Sequence, residues 1–120
     1  MNTEEPTKLV MEHLCSNLPN LTFIRGGPDY IPDLEVIEVW PSQRMVMGLD
    51  KLYFGFLRIR IYQTYMQPLQ EIAEAIDRVM DCAVLDQYNF IKSGLLKFDQ
   101  SGTVKIGILT YEYKFNQPIK

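Results

Sequence analysis

The chain is 120 residues long, 47% hydrophobic and 12% aromatic, with 12 basic and 15 acidic side chains and a formal net charge of −3. That length supports one core but not two, and the composition excludes a disordered tail or low-complexity spacer. A near-balanced, slightly acidic charge gives no electrostatic reason to expect direct recognition of nucleic acid or anionic lipid. The N-terminus is acidic and every apolar run is soon interrupted by charge, so neither a signal peptide nor a membrane span is expected.

The first periodic segment covers residues 6–17, with Val10, Leu14 and Leu18 on one stripe, widened by Met11 and Cys15. Pro6 suits the first helical turn, and Pro19 with Asn20 stops the helix. Residues 21–25 are β-formers, followed by a turn at Arg25, Gly26, Gly27, Pro28 and Asp29. With two glycines and no helical pattern after it, that turn is not a phosphate loop. Residues 34–40 form the next strand, ended by Pro41, and are too uniformly apolar to have one wholly wet face.

Residues 42–51 contain Arg44, Met45, Val46, Met47 and Leu49 without a period suited to helix or strand, and we read them as an extended excursion from the core. Methionine is enriched at interfaces, as is tryptophan, which singles out Met45 to Met47 and Trp40 for an intermolecular or a local packing role. In residues 52–65, Leu57, Ile59 and Ile61 alternate with Arg58, Arg60 and Tyr62, the pattern of a strand with a core face and a wet face. Arg58, Arg60 and Lys105 form either a basic stripe or the ordinary wet face of the sheet.

The second helix starts at Pro68. Leu69, Ile72, Ala73, Ile76, Val79, Met80 and Ala83 recur at three and four residues, and Glu71, Glu74, Asp77 and Asp81 fall on the opposite side as a solvated polar face. The remainder reads as a hairpin, with strands at 90–98 and 103–115 around Asp99, Gln100, Ser101 and Gly102. In its last strand Val104, Ile106 and Ile108 share one face, while Leu109, Tyr111, Tyr113 and Phe115 share the other. Either a bulge or a second buried face accounts for the switch. The whole is a single α+β domain over residues 1–120, an antiparallel or mixed β-sheet with two helices packed on one face.

His13 is the only histidine, so triads and multi-histidine metal sites lack their components; we read it as a partly buried helical residue. Cys15 and Cys82 lack CxxC spacing and are read as two buried free thiols. No catalytic, cofactor-binding or metal-ligating set is expected.

This order of elements, with PDLEVIEVW at 32–40, FLRIRIY at 56–62 and VKIGILTYEY at 104–113, resembles the tail terminator family of long-tailed bacteriophages, and also the small minor capsid or tail completion proteins of head–tail joining. The resemblance spans nearly the whole chain and is one of pattern and length, without a short diagnostic motif. It implies a non-enzymatic structural protein that forms a ring of copies of itself, a hexamer in that family, at the head–tail junction of the virion of a phage or prophage. Such a ring ends polymerisation of the tail tube protein and faces the head connector protein. It also implies that residues 42–51 serve subunit or tube contact, which makes Arg44, Met45, Val46, Met47 and Leu49 interface candidates, and Arg58 and Arg60 of the basic-stripe reading are added to them. No cofactor and no membrane partner come with it. The alternatives are a head-side connector or head completion protein, and a small ligand-binding or enzymatic domain with a pocket between the second helix and the sheet tipped by Tyr62, Tyr111 and Tyr113.

Overall fold

A computed structural model describes residues 4–26, 36–40, 44–47 and 52–115. In chain order these form α1 (Glu4–Asn17), β1 (Thr22–Arg25), β2 (Val36–Trp40), β3 (Arg44–Met47), β4 (Leu52–Gln63), α2 (Met66–Met80), β5 (Val84–Leu85), β6 (Tyr88–Lys92), β7 (Lys97–Ser101) and β8 (Val104–Phe115). All eight strands join one sheet, ordered β1-β2-β4-β8-β6-β5, with β3 added to β4 and β7 to β8. Both helices lie on one face, and because β1 runs parallel to β2 while every other pair is antiparallel, the sheet is mixed. The α+β class is as expected.

Two long strands organise this sheet. β4 and β8 each have 12 residues and pair without interruption from Tyr53↔Phe115 to Gln63↔Lys105. Twelve residues span about 40 Å, twice the usual strand length, so each carries two shorter neighbours in tandem. β3 and β2 lie in turn along β4, and β6 and β7 along β8. The unbroken register rules out the bulge and leaves the second buried face: Leu109, Tyr111 and Tyr113 face the helices, while Ile106 is buried on the other side.

The core lies between the helices and the sheet, where Ile37, Val39, Leu57, Ile59, Ile61, Leu109 and Tyr111 meet Val10, Leu14, Leu69, Ala73, Ile76 and Met80. The buried α2 positions advance by four, three and four residues, which keeps them on one stripe. Ile72 and Val79 flank that stripe and are half-buried. α2 begins two residues before Pro68, which occupies the first turn, where its lost N–H costs nothing.

Several expectations need correction. Cys15 and Cys82 are free but exposed. Cys15 sits on the flank of α1, outside the stripe of Val10 and Leu14. Cys82 lies beyond the end of α2, in a left-handed conformation with φ 61°, and its apolar spacing stops counting once the helix has ended. Residues 44–47 are not an unpaired excursion: they form β3, paired to β4 from Arg44↔Gly55 to Met47↔Leu52. Backbone hydrogen bonds to a neighbouring strand settled this segment where side-chain period was silent. The C-terminal hairpin is shorter than predicted, because β6 and β7 are separate strands and the chain turns at Gly102, φ 61°, directly between Ser101 and Val104. The predicted turn at 25–29 and the strand start at 34–35 fall largely outside the described residues, as does Leu49.

Candidate functional site

The face of α2 that turns away from the deepest core meets the sheet along an open cleft of about 290 Å³, lined by Gln70, Ala73, Glu74, Asp77, Lys92, Leu96 and Leu109. Its floor is apolar, from Ala73, Leu96 and Leu109, and one wall is polar. Asp77 follows Ala73 by one helical turn, which sets its carboxylate at the boundary between core and solvent. There Oδ1 accepts a hydrogen bond of 2.8 Å from the Tyr111 hydroxyl, and Oδ2 accepts one of 3.2 Å from Lys92 Nζ. One turn on, Asp81 Oδ1 accepts the Lys92 backbone N–H at 3.1 Å. The end of α2 is thus fastened to β6 and β8 by three bonds from two carboxylates.

Burial is the main reason that the Tyr111 hydroxyl is held well above its ordinary range, and its bond to the Asp77 carboxylate adds to the effect. It stays a neutral donor. The predicted solvated acidic face is therefore only partly so: Glu71, Glu74 and Asp81 are exposed, while Asp77 is half-buried and bonded. The pocket expected between the second helix and the sheet exists, but of its three tyrosines only Tyr111 reaches its surroundings. Tyr62 belongs to the opposite face.

On that opposite face β2 and β4 place Glu38 beside Arg60 and Trp40 beside Arg58. Arg58 is exposed, as predicted for a wet face, but Glu38 and Tyr62 are buried and Arg60 is half-buried. The Tyr62 hydroxyl donates to Glu38 Oε1, and burial first, then this carboxylate, pushes Tyr62 up to about 12. Arg60 stacks on Trp40, its Cζ 4.2 Å from the ring centroid, a cation–π contact. Gly26 lies against the same indole, where a Cβ would overlap the ring. Glu38 Oε2, Trp40 Nε1 and Arg60 Nε lack hydrogen-bond partners among the described residues. The basic stripe dissolves: Lys105 pairs with Gln63 and falls on the other side of the sheet from Arg58 and Arg60.

Of the interface candidates, Arg44, Met45, Val46 and Met47 form the edge strand β3, while Arg58 and Arg60 sit further along β4 on a neighbouring stretch of sheet. Sequence reasoning missed Glu38, whose signal was available: one acid inside the apolar run Val36–Trp40. It also missed the Asp77, Lys92 and Tyr111 set, which no spacing in the chain brings together. His13 is half-buried as expected, and it links the helices, its Nε2 3.1 Å from the Val79 carbonyl. Asn17 Nδ2 approaches Nδ1 at 3.3 Å, so the consistent tautomer donates from Nε2 and accepts at Nδ1. Among the described residues no three His, Cys, Asp or Glu side chains converge as a metal site would require, and no helix is long and apolar enough to cross a membrane. Compared with known proteins, the chain matches no protein-family model and no curated protein sequence at a significant level.

Proposed function

We propose that the chain is a structural assembly subunit of a phage or prophage tail, a ring-forming terminator or completion protein acting at the head–tail junction. The observation that carries the reading is the open sheet: β1, β3, β5 and β7 are each paired on one side only among the described residues, and helices cover one face. Unpaired strand edges are the surfaces a head-to-tail ring requires, provided that the edges engaged are complementary. The apolar sequence of β3, Arg44–Met47, at such an edge supports its use as a subunit or tube contact.

The test replaces Met45, Val46 and Met47 with Ser and follows both fold and assembly. Rings of about six copies in negative-stain images of the wild type, lost in the variant while its thermal unfolding is retained, support the reading. So does failure of the variant to complement a terminator-defective phage that the wild type rescues. A wild type that stays monomeric at every concentration and does not bind tail tubes overturns it, and binding to heads instead of tubes moves the protein to the head side. The cleft beside α2 favours a second reading, a small-ligand domain. A rise in melting temperature with a metal or nucleotide in a thermal-shift screen, abolished by Asp77→Asn, would replace the first reading with this one.

A further inference from the structure

The strand β7 is exposed at every residue and pairs with β8 alone. Beside it Leu95 is 83% exposed, and within it Phe98 is 48% exposed. Alternate residues of such a strand turn their N–H and C=O groups to its open side, which makes it a template for another strand, although the Gln100 N–H already bonds Asp99 Oδ1 at 2.8 Å. Natural edges commonly guard against this with charge. Here the charges are Lys97 and Asp99, of opposite sign on either side of Phe98, and that arrangement is complementary to itself.

A second copy turned by two-fold rotation about Phe98 sets Lys97 opposite Asp99 twice and Phe98 opposite Phe98. Centring the rotation on Asp99 instead places two carboxylates against each other, and centring it on Gln100 pairs Asp99 with Ser101 and forms no ion pair. Like charges directly opposite one another are unfavourable and unlike charges favourable, so charge selects the register centred on Phe98. The faces agree with this choice. Phe98 pairs with Gly107 and lies on the helix face, whereas Lys97 and Asp99 pair with Ile108 and Ile106 and lie on the other. The ring contact and the two ion pairs thus occupy opposite sides of one seam.

We propose that β7 is the docking site for the β7 of a second copy of this chain, in an antiparallel two-fold dimer whose sheets continue across the seam. A two-fold contact closes on itself and builds no ring, so this inference is independent of the proposed ring and is tested separately.

The experiment compares three full-length proteins by sedimentation: wild type, Asp99→Lys, and Lys97→Asp with Asp99→Lys. Asp99 Oδ1 also accepts the Gln100 N–H at 2.8 Å, and both variants lose that bond equally, so their difference reads the seam alone. The wild type is expected to dimerise, Asp99→Lys to dimerise about ten-fold more weakly, and the double variant to dimerise about ten-fold more tightly than Asp99→Lys. Should Asp99→Lys fail to fold, Lys97→Glu sets acid against acid and serves in its place. In a second arm, Phe98→Cys is made with Cys15 and Cys82 changed to Ser and oxidised. A dimer on a non-reducing gel that disappears with reductant is expected. A wild type that stays monomeric at millimolar concentration, charge variants that weaken the dimer equally, or a Phe98→Cys protein that does not cross-link would each overturn the proposal.

Discussion

The Tyr111 hydroxyl on β8 donates to Asp77 Oδ1 on α2 at 2.8 Å, while Lys92 Nζ holds the other oxygen of the same carboxylate at 3.2 Å. Two partners share one acid, but their surroundings differ. Tyr111 is fully buried, whereas the Lys92 and Asp77 side chains are 31% and 28% exposed. A hydrogen bond from a buried donor to a charged acceptor is worth about 1.5–3 kcal/mol, and a solvated ion pair about 0.2–1 kcal/mol. Tyr111→Phe is therefore expected to cost more stability than Lys92→Met, and urea unfolding of the two variants checks the order.

Stability at alkaline pH depends on two of the buried tyrosines, Tyr62 and Tyr111. Tyr62 is pushed up to about 12 from an ordinary 10.0, and Tyr111 is also raised. Above pH 10 the unfolded chain gives up these protons while the folded chain keeps them. Stability from both groups is thus fully present below pH 10 and is lost as pH rises towards 12, by up to about 1.4 kcal/mol per pH unit for each tyrosine. Denaturant unfolding between pH 9 and 12, read beside tyrosinate absorbance, measures the slope, and Tyr62→Phe should make it shallower. A slope unchanged by that substitution would show that Tyr62 ionises alike in both states.

His13 bonds the Val79 carbonyl in the last turn of α2, one of the helix-end groups that lack a partner within their own helix. His13→Ala is expected to remove about 0.5–1.5 kcal/mol and to leave assembly intact. Chemical denaturation gives the first quantity and sedimentation the second. Loss of assembly in a stably folded His13→Ala protein would assign this histidine a role beyond joining the helices.

Gly26 touches the indole of Trp40, which in turn carries the Arg60 guanidinium. Gly26→Ala forces the ring to move, at a cost of about 1–3 kcal/mol for overpacking. Trp40 is the sole tryptophan, so its emission reports the displacement directly. An unchanged spectrum with unchanged stability would mean that the ring has room to yield.

Ile76 lies at the centre of the buried stripe of α2 with no exposed surface. Truncation to Ala should cost about 2–5 kcal/mol, and Ile76→Asp should abolish the cooperative unfolding transition, because an unpaired buried charge costs still more. Circular dichroism melts decide both.

What the sequence determined by itself is local. The three-and-four spacing of Leu69, Ala73, Ile76 and Met80 made α2 legible, and the alternation of Leu57, Ile59 and Ile61 did the same for β4, because helices and strands bury one side at fixed periods. Glycine at 102 marked the final turn because a left-handed residue is needed there. Period says nothing about partners, however, and partners decided the rest. β3 is a strand because β4 pairs with its backbone, Tyr62 and Glu38 are buried because each found the other across two strands, and Cys82 is exposed because α2 ended before reaching it. The bonded set at the polar wall of the cleft needed Asp77, Lys92 and Tyr111 to come together from α2, β6 and β8, across 34 residues between the outermost two. Hydrogen bonds and packing between distant segments depend on register and layer order, and these were set only when the sheet closed around β4 and β8.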